Sequence, residues 1–235
     1  MRKVIVIMFA LFAIGAVAQA QKVRPSSNVI TEQRTVMNFS QLSVTDGIEV
    51  VVLFTGTEGV EIQAPDNVVQ FVDAVVVKDV LNIGFRKGFK MRGNATIRVT
   101  VNKKALTNIT VTKKAKVIFG NIFTTDKLNV RVTDATLEGP IVANSAVMVL
   151  EKGAKANLTG TCKDLRLTVS GASSLGSTAF TAEVVDANLR GKSTARLTIA
   201  QSVQFRGAGE STLRYSGSPR IQGVKADKTS GLIAD

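Results

Sequence analysis

LRLTVSGASSL at residues 165–175 is followed by LRGKSTARLTI at residues 189–199. In each stretch apolar and polar residues alternate, a cluster of small or charged residues interrupts them, and alternation resumes. Period-two alternation marks strands, and the interruption marks a tight turn. The same unit recurs on both sides. Leu150 leads through Lys152-Gly153-Ala154 to Leu158, and Phe205 leads through Arg206-Gly207-Ala208-Gly209-Glu210-Ser211 to Leu213. Val111, Val130, Leu150, Val169 and Leu189 are spaced 19, 20, 19 and 20 residues apart, and Phe205 and Ile221 follow at steps of 16. A companion column runs through Phe119, Leu137, Leu158, Leu175, Leu197 and Leu213. Repetition at this period means that one supersecondary unit stacks on copies of itself.

Energetics favour stacking. One coil buries about five apolar side chains, worth roughly 1.5–3 kcal/mol each. Ordering about twenty residues costs roughly 1–2 kcal/mol per residue in backbone entropy. An isolated coil loses, whereas stacked coils gain hydrogen-bonded ladders and a continuous dry interior. The expected fold is all-β: a right-handed parallel β-helix, or β-solenoid, with coils of about 20 residues. A β-sandwich is the alternative. It suits the first seventy residues after the leader equally well but does not explain the register.

Those earlier residues also read as strands. Phe39, Leu42, Val44, Ile48, Val50 and Val52 alternate with polar partners around Asp46-Gly47. Val60 and Ile62 open a segment ending at Ala64-Pro65-Asp66-Asn67; Val75, Val77, Leu81 and Ile83 flank a turn at Lys78-Asp79; Ile97, Val99 and Val101 form another strand. The expected organisation is a signal peptide over 1–20, a linker over 21–32, a single β-helix domain over 33–222 and a C-terminal tail over 223–235. Arg2 and Lys3 precede an apolar stretch from Val4 to Val17, and Ala18-Gln19-Ala20 fits a small-x-small cleavage site. No later stretch is apolar for long enough to span a bilayer as a helix. An exported protein follows, in the periplasm, on the outer-membrane surface or outside the cell.

The formal net charge is +12, and +10 once Arg2 and Lys3 are removed. Such a chain favours anionic surfaces (lipopolysaccharide, capsule, acidic glycans or nucleic acid), charge alone selects none of them, and no feature marks a specific nucleic-acid reader. Trp is absent and Tyr215 is the single tyrosine, while the 11 Phe fall mostly at core-like positions. That argues against a deep stacking cleft.

The N-terminal run Phe39-Ser-Gln-Leu42-Ser-Val44-Thr-Asp-Gly47-Ile48-Glu-Val50, the stretch Val60-Glu-Ile62-Gln-Ala64-Pro65-Asp66-Asn67 and the small-residue turns at 171–173 and 207–209 resemble a known family. It is the auto-transporter adhesin head domain, or head GIN domain, of exported Bacteroidetes proteins. The resemblance covers nearly the whole chain after the leader. Asp134-Ala135-Thr136 and Gly191-Lys192-Ser193 depart from the family's Gly-Ser-Gly-like turns. The resemblance implies a pectin-lyase-like β-helix without the catalytic residues of those enzymes, and a role in adhesion.

Catalytic chemistry finds little support. The chain has no His and one Cys, Cys162. Ser-His-Asp and Cys-His nucleophile systems and His/Cys zinc sites are therefore excluded, as is an internal disulfide. The acidic residues show no calcium-loop spacing, and Gly207-Ala208-Gly209 lacks the following helix a phosphate loop needs. No catalytic, cofactor or metal residues are assigned. Two basic clusters stand out as candidate anion contacts: Arg86, Lys87, Lys90 and Arg92 around Gly88-Phe89, and Lys113, Lys114 and Lys116 near Lys103 and Lys104. Their plainer reading is a set of solvated charges guarding strand edges against aggregation. The sequence thus points to a non-enzymatic, adhesin-like binder of surfaces or anionic glycans. A self-assembling envelope scaffold, a homo-oligomer, is the alternative, and a polysaccharide lyase or hydrolase ranks below both.

Overall fold

The computed structural model describes residues 21–235. The expected signal peptide lies outside the described residues. The chain forms a β-solenoid of about 7 turns with about 19 residues per turn. Its one helical element among the described residues is a 3-10 turn at Val69–Phe71.

Each coil carries a first face, a tight turn, a second face and a middle segment leading back. The first face stacks Val80–Phe85, Gln41–Val44 and Asn108–Thr112 in parallel, then the final part of Phe123–Thr133 and of each later long strand. The second face stacks Arg98–Asn102, Glu49–Leu53 and Lys116–Phe119, then the opening part of Thr136–Glu151 and of its successors. Thr136–Glu151, Lys155–Ser170, Ser174–Arg190 and Thr194–Ala208 each run from the second face, through the middle segment, to the first.

The interior is made of files. Val44, Val111, Val132, Leu150, Val169 and Leu189 lie one above the next and are all fully buried. The register corrects the expected column at both ends. Val111 stacks on Val132, not Val130, and Leu189 stacks on Gly207. Val130 and Phe205 belong to the adjacent file with Ile109, Met148, Leu167 and Ala187. The companion column splits likewise, with Val117, Leu137, Ala156, Leu175, Ala195 and Leu213 in register. Phe119, Leu158 and Leu197 point inward two residues further along. The physical reason is unequal coil length. Val111 to Val132 spans 21 residues, whereas Val132 to Leu150 and Leu189 to Gly207 each span 18. A uniform spacing therefore drifts into the neighbouring inward position.

The turns form a file of their own. Gly171-Ala172, Gly191-Lys192 and Gly209-Glu210 all have positive φ, between 58° and 70°. Glycine takes this conformation without a Cβ penalty. The N–H of Gly153 donates to Gly171, that of Ala172 to Gly191 and that of Lys192 to Gly209, each at a backbone carbonyl. Gly191-Lys192-Ser193 is thus in full register, although it departs from the family's Gly-Ser-Gly-like turns. The turn following Phe205 is Gly209-Glu210-Ser211, two residues beyond the expected Gly207-Ala208-Gly209. Inside these corners Ser173, Ser193 and Ser211 are buried where earlier coils place Ala115, Ala135 and Ala154. Their hydroxyls donate to the carbonyls of Ser170, Arg190 and Leu189 at 2.7, 2.6 and 2.9 Å. A small side chain fits the corner, and a hydroxyl also satisfies a buried carbonyl.

One end is closed by antiparallel strands. Gly59–Pro65 pairs with Arg98–Asn102 and with Val29–Arg34, while Val72–Val77 pairs with Val80–Phe85 across Lys78-Asp79. Val68, Val69 and Val72 are buried beneath this cap. The expected linker over 21–32 therefore contains the strand Gln21–Val23 and part of Val29–Arg34. Val29–Arg34 has neither face fully buried, so it carries no apolar alternation to announce it. At the other end the expected tail holds most of Arg220–Ala226 and all of Gly231–Ala234.

Candidate functional site

Three of the seven candidate cations meet. The turn at Asp46-Gly47 joins the first and second faces of one coil, and the turn at Lys113-Lys114 joins those of the coil stacked on it. The N–H of Gly47 donates to the Lys113 carbonyl at 2.9 Å, which fixes the two turns together. Arg86-Lys87-Gly88-Phe89 is a four-residue turn closed by a Phe89 N–H bond to the Arg86 carbonyl at 3.0 Å, with Gly88 at φ 86°. Asp46, Phe85, Arg86, Lys87, Gly88, Phe89 and Lys113 line one open depression of about 440 Å³.

Asp46 organises this depression. Its Oδ1 accepts Lys113 Nζ at 3.2 Å, and its Oδ2 accepts the Phe85 N–H at 3.3 Å. Gly84 makes the approach feasible, since a Cβ there would lie 2.6 Å from the Thr45 Cγ2 and 3.3 Å from Asp46 Oδ2. Arg86 is tethered by its N–H to the Phe71 carbonyl and lies 3.6 Å from Asp73. Lys87 has no ion-pair partner among the described residues. Phe85 and Phe89 line the site and are only half-buried, unlike the phenylalanines at core positions. Phe89 stacks on Phe71 with centroids 4.6 Å apart and lies 4.9 Å from Phe85. It is an anchored ring, not a free one between cations.

The other four cations lie elsewhere. Lys90 sits in Phe89–Met91, in register with Lys22 of Gln21–Val23, and Arg92 continues that edge through its N–H to the Val23 carbonyl. Lys114 pairs with Asp134 at 3.3 Å and Lys116 with Glu138 at 2.8 Å, each across neighbouring coils. Lys103 is buried, paired with Glu58, and lies 4.5 Å from the Phe39 ring centroid. That lysine serves the fold, and the hydrogen bond it gives Glu58 is the main cause holding that carboxyl below its usual range.

The first face carries features that reading for basic clusters missed. Asn108 donates to Gln41 at 2.8 Å, and Asn129 donates to Asn108 at 2.9 Å, an amide ladder across three coils. Arg131 pairs with Glu151 and Arg206 with Asp186 on the same face, both at 2.9 Å or less. Two shallow depressions of about 380 and 360 Å³ follow it, one along Asn108, Asn129 and Arg131, the other along Asp164, Arg166 and Asp186. The signal was present: outward polar residues recur at the coil spacing just as the core does.

The groups that the depression brings together are three cations, one carboxylate and two half-buried rings. Cys162 is buried, and burial pushes its thiol up to about 11. Among the described residues no cluster of three or more His, Cys, Asp or Glu is placed to hold a metal ion, and no helix is long and apolar enough to cross a membrane.

Comparison with known proteins agrees with this architecture. A putative adhesin from Bacteroides fragilis NCTC 9343 superposes with a TM-score of 0.82 at 19% identity, covering 91% of this chain and 100% of that one. A putative lipid binding protein from Parabacteroides distasonis ATCC 8503 superposes with a TM-score of 0.72 at 11% identity, covering 92% and 100%. A putative adhesin from Parabacteroides merdae ATCC 43184 gives 0.65 at 17%, covering 92% and 100%. At such identities these likenesses establish the fold alone. No curated protein matches the sequence. Residues 38–219 match the family described as putative auto-transporter adhesin, head GIN domain, and the chain therefore belongs to that family.

Proposed function

We propose that this chain is an exported, non-enzymatic binding protein of the cell envelope that contacts surfaces or anionic glycans through its outer wall. The observation that carries this reading is the meeting of Arg86, Lys87 and Lys113 in one open depression. Three cations and one carboxylate line it, with a second carboxylate, Asp73, 3.6 Å from Arg86, on a protein that is strongly basic as a whole. The rest of the wall repeats polar groups coil after coil, which suits many weak contacts acting together. Family membership supports an adhesive role. The test is retention of the purified chain on heparin and polygalacturonate against neutral dextran, across a salt series. Retention on the acidic polymers that falls steeply with salt is expected, because exposed charges are screened within about 10 Å at 0.1 M. Equal retention on dextran would defeat the reading. Phosphatidylcholine vesicles, a lipid surface without net charge, provide a further control.

A specific observation favours self-assembly as a second reading. In the last coil Ile221 and Val224 continue the files of Val203 and Phe205, which are fully buried, yet they are 51% and 49% exposed. The solenoid interior opens to solvent there, beside strand edges that can accept further strands. Light scattering over a concentration series tests it, with a strict monomer at high concentration as the opposing result.

A further inference from the structure

Resting on the binding reading above, we propose that the Asp46 depression is a subsite for one acidic sugar ring, bearing a carboxylate or a sulfate. Three kinds of group converge there, and an acidic pyranose needs all three. Arg86, Lys87 and Lys113 supply positive charge around the rim. A guanidinium and two ammonium groups suit a carboxylate or sulfate, and Arg can bind such a group in a bidentate manner. Phe85 and Phe89 supply an apolar surface within the same depression, matching the C–H face of a sugar ring. Asp46 supplies an acceptor for ring hydroxyls.

That carboxylate discriminates. A bare sulfate offers it no donor and is repelled by it, and a hydrogen phosphate offers only its own P–O–H, whereas a sugar brings several hydroxyl groups beside its anion. The geometry is held in place before any ligand arrives. Lys113 Nζ and the Phe85 N–H bind the two carboxylate oxygens of Asp46, at 3.2 and 3.3 Å. Phe89 is fixed from behind by Phe71, and the Arg86 backbone by the Phe71 carbonyl. Held groups lose little freedom on binding. Lys87 has no such tether, so it is the group whose charge is fully available.

Lys90 provides an internal control. It lies three residues from Lys87 and is equally cationic, but it is outside the lining of the depression.

The experiment is calorimetric titration of the purified chain with trigalacturonate, with its neutral methyl ester, with inorganic phosphate and with a single-stranded DNA 12-mer. Wild type, Lys87→Glu, Lys113→Glu and Lys90→Glu are compared, with circular dichroism confirming the fold of each. The expected result is trigalacturonate binding that weakens at least tenfold in Lys87→Glu and Lys113→Glu and less than twofold in Lys90→Glu. The methyl ester should fail to bind. Phosphate bound as tightly as the sugar would overturn the sugar assignment, and so would DNA bound more tightly in a Lys87-dependent way. Wild-type binding lost equally in all three variants would show diffuse attraction, overturning the subsite while leaving the broader reading intact. A wild type that binds neither trigalacturonate nor the acidic polymers would end both. Because Lys113 also holds Asp46, Lys87→Glu is the decisive variant if Lys113→Glu melts early.

Discussion

Asp227 Oδ2 accepts the backbone N–H of Gly209 at 2.6 Å, and this bond ends the file of turns. In earlier coils the corresponding N–H groups, of Gly171 and Gly191, find the carbonyls of Arg190 and Ala208, which end the strands of the next coil. Beyond Gly209 side chains take over. Thr229 Oγ1 accepts the Glu210 N–H and Ser230 Oγ accepts the Ser211 N–H, both at 3.1 Å. The last coil thus caps the turn ladder by the same logic that caps a helix: a side-chain acceptor replaces a missing carbonyl.

The cap has a pH signature. Hydrogen bonds from the Gly209 N–H first, then from Ser230 and Thr229, lower the Asp227 carboxyl from 3.8 to about 2. A carboxyl depressed in the folded state stabilises it above the unfolded value, and that contribution fades as pH falls through the folded one. The window therefore runs from about pH 4 down to about pH 2. Asp227→Asn should melt below wild type at pH 7 and converge with it near pH 2, as followed by circular dichroism. Equal melting temperatures at pH 7 would remove the cap from the account.

Leu150 is fully buried between Val132 and Val169 in the central file. Leu150→Ala should cost about 2–5 kcal/mol in urea denaturation, the range for a cavity in a packed core. Lys163→Ala, on the outside of the next coil, should change stability by less than about 0.5 kcal/mol. Similar losses in the two variants would mean that the interior is not close-packed.

Gly160 and Gly153 both have positive φ, 98° and 78°, but differ in surroundings. A Cβ on Gly160 would sit 2.2 Å from the Ile141 carbonyl oxygen, whereas one on Gly153 meets nothing within 4 Å. Each Ala variant incurs backbone strain of about 1–3 kcal/mol. Only Gly160→Ala must also displace the neighbouring coil, so its urea midpoint should fall clearly further. Matching midpoints would contradict the coil spacing.

Cys162 should resist thiol reagents in the folded chain. Its Sγ lies 3.3 Å from the Asp164 carbonyl, and burial keeps it protonated at pH 8. Dithionitrobenzoate should label it in concentrated urea and leave it unmodified for hours in native buffer. Rapid native labelling would show that the middle segment opens readily.

The fold class was legible because the later coils follow one another directly in the chain. Leu150, Val169 and Leu189 stack as their spacing implies. The exact files were less legible, since coils of unequal length shift the register by two residues without changing which side is apolar. Phe205 shows this: it reads as the successor of Leu189 but stacks on Ala187. Of the candidate site, the sequence exposed the cations without their partners. Lys114 and Asp134 are 20 residues apart yet form a pair, because one coil separates them.

The alternation of small β-branched and polar residues, broken at each coil by a turn, determined by itself that this chain would stack into a β-solenoid, since no single coil can bury its own apolar face. Only the tertiary structure decided that Gln41 would meet Asn108, 67 residues away, with residues 59–102 between them supplying the last layer of both faces and part of the antiparallel cap. That long-range pairing brought Lys113 beside Asp46, and the pairing of Gln41–Val44 with Val80–Phe85 brought Arg86 to the same depression. Local periodicity specifies which side of a strand is dry, but not which strand lies next to it.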